Sequence, residues 1–180
     1  MRAAGASTPM LSLVVVNSLD QEAFVRVLGR LFDHAPWVAG AAWRKRPFRS
    51  LGELNRALVA SMREAPPERQ LALIRAHPEL GGGEVRSGEL TADSSREQAS
   101  AGLHRLAQAE VEALRRLNRS YRERFGFPLI VCVREHTEES ILAGGAARLE
   151  NSREREIEIA LEEIAKIAGV RLRDVVEDAA

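Results

Sequence analysis

Cysteine is almost absent from this chain: Cys132 is the only one in 180 residues. A single thiol excludes an internal disulfide framework and a zinc site built from cysteines. Lysine is nearly as scarce, with Lys45 and Lys166 alone, so arginine carries almost all the positive charge. An excess of charge of either sign is missing too, because 26 basic residues stand against 26 acidic ones. Nothing in that balance steers the whole molecule to nucleic acid or to an anionic lipid surface. The apolar run Leu11 to Val16 is too short for the core of a secretory signal and far too short to span a bilayer. The final Glu177-Asp178-Ala179-Ala180 is not a peroxisomal tripeptide. The expectations are no membrane partner, no nucleic-acid partner and a reducing, cytoplasmic location.

What is present is a chain 45% hydrophobic and 29% charged, the balance of a globular protein. Residues 1–9 are small and polar and are expected to form a flexible tail, with one domain over 10–180. Apolar residues recur at helical spacing almost throughout. S-L-D-Q at Ser18 to Gln21 reads as a capping box before Phe24, Val27, Leu28 and Leu31. Pro36 opens a short helix through Trp43, and Ser50 with Glu53 starts another. Pro66-Pro67 ends that helix and begins the next, which runs to His77. A glycine-bearing loop, Gly81 to Gly88, precedes a helix with Leu103 and Leu106 on its face. After a break near Gln108 come Val111, Leu114, Leu117 and Tyr121, then the stop R-F-G-F-P. Two more helices cover Thr137 to Leu149 and Ser152 to Ala168, the second ending at Gly169. Leu129 to Val133 is a short apolar run without partner strands, so it reads as an extended buried segment. The expected fold is all-α: one irregular helical domain of about eight helices.

Motif chemistry is sparse. The four histidines, His34, His77, His104 and His136, show no metal-ligand spacing, and there is no G-x-S-x-G, P-loop or G-x-G-x-x-G. No metal and no cofactor are expected. Two readings apply to His77. It can be a helix-terminal histidine favoured by the helix dipole. Alternatively, Pro78 holds it out of the α region and turns its ring away from the helix axis, toward a ligand. Glu97 likewise completes S-x-x-E with Ser94 as a capping box, or lines a polar cradle with Ser94 and Gln98. Gln98 lies about 100° round the helix from Glu97, so the two cannot both face the core. Arg171 is a solvated arginine or a planar fork for a carboxylate or carbonyl. Cys132 reads as a core residue rather than a nucleophile, and Trp37, Trp43, Phe125 and Phe127 as core aromatics.

Several segments taken together resemble one family. They are F-V-R-V-L-G-R-L-F-D-H-A-P-W-V-A (Phe24 to Ala39), R-P-F-R-S (Arg46 to Ser50) and L-I-R-A-H-P-E-L (Leu73 to Leu80). G-E-L-T-A-D-S-S-R-E-Q-A-S-A-G-L (Gly88 to Leu103) and L-N-R-S-Y-R-E-R-F-G-F-P-L-I-V-C-V-R (Leu117 to Arg134) follow. I-L-A (Ile141 to Ala143), R-L-E-N-S-R-E-R-E (Arg148 to Glu156) and I-A-G-V-R-L (Ile167 to Leu172) complete the set. In this order they resemble the 2-oxo-4-hydroxy-4-carboxy-5-ureidoimidazoline (OHCU) decarboxylases of purine breakdown. Leu129 departs from a usual Phe, and the Gly81-Gly82-Gly83-Glu84 loop is more glycine-rich than usual.

The resemblance implies a helical homodimeric carboxy-lyase that makes (S)-allantoin from OHCU in uric acid degradation, without cofactor or metal. It implies His77 as the catalytic histidine and Glu97 as its acidic partner. It also implies substrate contacts from Pro78, Ser94, Gln98, Arg171 and the backbone of Ile130, Val131, Cys132 and Val133. Alternative readings are an enzyme of the same fold acting on another small ureide or hydantoin, and a non-catalytic helical interaction module.

Overall fold

Capping side chains mark where the helices begin. Ser50 accepts the N–H of Glu53 at 3.1 Å, and Glu53 Oε2 accepts the N–H of Arg49 at 2.7 Å. Thr137 and Ser140 form a reciprocal capping box. The computed structural model describes residues 10–81, 92–100 and 108–177. Among them are α1 (Leu13–Ser18), α2 (Gln21–Leu28), α3 (Trp37–Trp43), α4 (Leu51–Arg63), α5 (Pro67–Ala76), α6 (Ala92–Ser100), α7 (Gln108–Phe125), α8 (Glu138–Arg148) and α9 (Arg153–Arg173). The expected mainly helical architecture is present. The expected tail, residues 1–9, and the expected face of Leu103 and Leu106 lie outside the described residues.

The chain divides into two compact units, Met1–Glu64 with Ile167–Ala180, and Ala65–Lys166. In the first, α3 packs on α2 and on α4 around the buried Phe24, Leu28, Val38, Leu54, Leu58 and Met62. β1 (Leu11–Ser12) pairs in parallel with β2 (Val176–Glu177), a two-residue ladder that the sequence reading does not contain. Asn17 and Phe48 exchange two hydrogen bonds, at 2.8 and 2.9 Å. Arg46 lies over the Trp43 ring and donates to the carbonyls of Asn17, Leu19 and Trp43. Trp43 is therefore a half-buried partner of a cation, not a core ring.

Two helix boundaries differ from the sequence reading. Asp20, not Ser18, caps α2: it accepts the N–H of Ala23 at 2.8 Å, whereas Ser18 ends α1 and donates to the Val15 carbonyl. Both have cap-forming side chains, but Asp20 has the extended backbone that an N-cap requires. Gly169 does not end α9, which runs on to Arg173. Ala168, Arg171 and Leu172 are buried there. That tertiary burial outweighs the roughly 1 kcal/mol that a glycine costs in a helix.

In the second unit α7 packs on α8. Gly145 makes the approach possible, since a Cβ there would lie 2.6 Å from Leu117 Cδ2 and 2.9 Å from Leu129 Cδ2. Tyr121, Phe125 and Phe127 form one aromatic cluster. Residues 129–132 are buried and irregular, with no strand partner among the described residues, as their isolation in the sequence implies. Val133 departs from the extended expectation, because Val133–Glu135 closes into a single 3-10 turn.

Candidate active site

α5 stops because Pro78 follows His77. The His77 backbone sits at φ −68°, ψ 136°, the extended region to which a following proline confines a residue. His77 is half-buried with Nδ1 fully buried, and Pro78 is buried. The extended backbone carries the ring off the end of α5 with its Nδ1 buried.

Ser94 and Glu97 do not form a cap. α6 begins at Ala92, which places both inside the helix, where they are 4% and 7% exposed. A serine and a carboxylate in this position need polar company, since burying either alone is costly. Gln98, on the adjacent face, is half-buried. Its Oε1 accepts the N–H of Gly81 at 2.9 Å, and its Nε2 donates to the Glu79 carbonyl at 3.2 Å. Through Gln98, α6 is bound to the chain that leaves His77 and Pro78. α6 also packs against the Val133–Glu135 turn. The Glu97 carboxylate acts on the Cys132 thiol through space.

Charged side chains hold the irregular segment. Arg148 Nη1 donates to the Ile130 carbonyl at 2.8 Å, and Glu163 Oε2 accepts the Cys132 N–H at 2.7 Å. Arg148 also donates to Glu156 at 2.9 and 3.0 Å and to Tyr121 Oη at 3.1 Å, while Tyr121 Oη donates to Glu156. Burial, then the hydrogen bond to Glu156, pushes the Tyr121 hydroxyl well above the usual phenol range. Lys166 lies 2.6 Å from Glu163, and that pairing raises its ammonium above the ordinary value. Cys132 is a buried free thiol. Burial first, then the carboxylates of Glu135, Glu163 and Glu97, push it up to about 11. It stays protonated at neutral pH and is not a nucleophile.

Sequence reasoning did not single out Arg148, Glu156 or Glu163. The signal was present: Glu156 and Glu163 share the inward stripe of α9 with Ala160 and Ile167, where a carboxylate needs a partner. His77, Pro78, Ser94, Glu97, Gln98 and the 130–133 segment all belong to the second unit; Arg171 belongs to the first. Arg171 is not a solvated arginine. It is 3% exposed in the last turn of α9, and its Nη1 meets Asp33 Oδ2 at 3.0 Å and the Leu31 carbonyl at 3.3 Å. Among the described residues, no group of three His, Cys, Asp or Glu is placed to hold a metal ion. Nor is any helix of the described residues long and apolar enough to cross a membrane.

A mainly helical fold, a histidine at a helix stop and a buried carboxylate on a helix tied to it suit an acid–base enzyme for a small polar molecule. Comparison with known proteins makes the class particular. The OHCU decarboxylase family profile matches residues 17–173, and the chain belongs to that family. The 2-oxo-4-hydroxy-4-carboxy-5-ureidoimidazoline decarboxylase of Haloferax volcanii is 42% identical over 164 residues, covering 91% of this chain and 95% of the relative. The mouse protein of the same name is 38% identical over 165 residues, 92% of this chain and 93% of the relative. A solved structure, that of an (S)-allantoin synthase, superposes with a TM-score of 0.74 at 26% identity. That match spans 92% of this chain and 54% of the solved one.

Proposed function

We propose that this chain is the carboxy-lyase that converts OHCU to (S)-allantoin in uric acid degradation, with His77 as general acid–base and Glu97 as its partner. The observation that carries the site assignment is the Gln98 clamp, which seats α6, with buried Ser94 and Glu97, on the chain leaving His77. Membership of the family supplies the reaction.

The chemistry fits these groups. Breaking the bond to the carboxylate releases CO2, and its electron pair enters the conjugated C=N of the substrate ring. The ring nitrogen that receives the pair takes up a proton, and the hydroxyl on the same carbon loses its proton and becomes a carbonyl. A proton then reaches the ureido-bearing carbon from one face, which sets the (S) configuration. The ring itself is the electron sink, so the protein's tasks are orientation and proton transfer. An imidazole moves protons in both directions near neutral pH. Glu97 orients His77 and favours its charged form. Ser94, Gln98 and backbone groups of Ile130 to Val133 hold the amide edges. Gln98 keeps one N–H and one lone pair beyond its two bonds, enough for one amide edge. Within that stretch the Ile130 carbonyl accepts from Arg148 and the Cys132 N–H donates to Glu163, so those two groups brace the segment. Pro78 flanks the substrate ring, and no side chain grips the carboxylate tightly, since that would hinder its loss.

The same reading takes the chain as a cytoplasmic homodimer, and light scattering on the purified protein checks the dimer. Time-resolved circular dichroism with freshly generated OHCU tests the activity. Optically active allantoin forming faster than in buffer supports it, and racemic product at the spontaneous rate contradicts it.

A further inference from the structure

Three side chains of α7 stand four residues apart: Leu114, Asn118 and Arg122. That spacing lines them along one stripe of the helix. Each meets one residue of the chain that leaves His77-Pro78, in reverse order. Arg122 Nη2 donates to the Glu79 carboxylate at 2.9 Å. Asn118 Nδ2 donates to the Leu80 carbonyl at 2.8 Å. Leu114 Cδ2 closes on Gly81, where a Cβ would lie 2.5 Å away and where φ is +58°. Gln98 grips the same three-residue stretch from α6.

Asn118 is the least economical member of the stripe if packing alone matters. It is 3% exposed, and its Oδ1 is buried without a hydrogen bond. A buried amide oxygen left in that state costs free energy that a leucine of similar volume does not. The offsetting gain is one donated bond, to the residue three places after His77. The histidine is thus held from two ends. α5 fixes the chain before it, and the Leu80 carbonyl is the first buried anchor after Pro78.

We propose that Asn118 is a positioning residue for His77: by fixing Leu80 it sets the direction in which the imidazole leaves the end of α5. Asn118 acts through the turn and does not touch substrate. The proposal rests on the catalytic reading of His77 given above.

The test compares Asn118→Ala and the volume-keeping Asn118→Leu, each alone and combined with His77→Asn, using freshly generated OHCU. In the single variants kcat falls by about 10- to 100-fold, the size expected for a misplaced group. KM stays within about twofold, because substrate binding is untouched. In the His77→Asn background neither substitution lowers the rate further, since the group being positioned is gone. Wild-type kcat in a folded Asn118→Leu protein overturns the proposal, as does an equal loss with and without His77, or a loss that appears in KM alone. If Asn118→Ala does not fold, Asn118→Leu decides; failure of both to fold makes Asn118 a folding residue and also overturns it. A wild-type rate in His77→Asn alone is a different failure, that of the catalytic reading itself.

Discussion

Gln98 Oε1 accepts the Gly81 N–H at 2.9 Å, and this bond binds α6 to the chain leaving His77. Glu97, the neighbour of Gln98 in α6, is not a cap. A cap residue stands at a helix start, whereas Glu97 is the sixth residue of α6 and is buried. Glu97→Gln therefore keeps the helix and removes only the charge. Activity is expected to fall by about 10²-fold or more, with the melting temperature close to that of the wild type. Activity that survives in Gln and is lost only in a thermally weakened Glu97→Ala would restore the capping interpretation.

Much of this was legible in the sequence, for local reasons. Ser50, Thr137, Pro67 and Pro78 act on their immediate neighbours, and they set helix starts and stops where the sequence places them. Ser18 and Gly169 misled because their competitors lie elsewhere. Asp20 two residues on takes the cap, and burial of Leu172 carries α9 through the glycine. The site divides in the same way. The extended backbone of His77 follows from Pro78 alone. The contacts of Asn118, Arg148 and Glu163 join residues 38, 18 and 31 positions apart, which no local pattern encodes.

Arg171 and Asp33 form a buried pair, with side chains 4% and 0% exposed. Removing one partner of such a pair leaves a charge in a poor solvent. Asp33→Ala is expected to cost about 3–5 kcal/mol. Urea denaturation measures it, and an unchanged midpoint would show that Asp33 carries no such burden.

Arg148 joins Glu156, Tyr121 and the Ile130 carbonyl. Arg148→Met strands the Glu156 carboxylate and frees the 130–133 segment, so both stability and KM should suffer. Adding Glu156→Leu removes the stranded charge. The double variant is expected to recover most of the melting temperature while KM remains raised. Recovery of KM as well would mean that Arg148 does not shape the segment.

Cys132 gives a pH signature. Its thiol ionises near 9.0 ordinarily and near 11 in the fold. Between those values the unfolded chain has released a proton that the folded chain retains, so rising pH favours unfolding. The contribution is complete below about 9 and declines toward 11. Wild-type stability should therefore drop more steeply than that of Cys132→Ala across this window, with iodoacetamide labelling at pH ~8 confined to unfolded protein. Parallel stability curves, or rapid labelling of the native protein, would contradict it.

The central claim concerns His77, and His77→Asn tests it most directly. The substitution keeps a polar side chain before Pro78 and removes the titrating ring. With freshly generated OHCU and time-resolved circular dichroism, enzyme-dependent formation of (S)-allantoin is expected to fall by about 10²–10⁴-fold in a protein of unchanged melting temperature. Optically active allantoin formed at the wild-type rate by that variant would contradict the account.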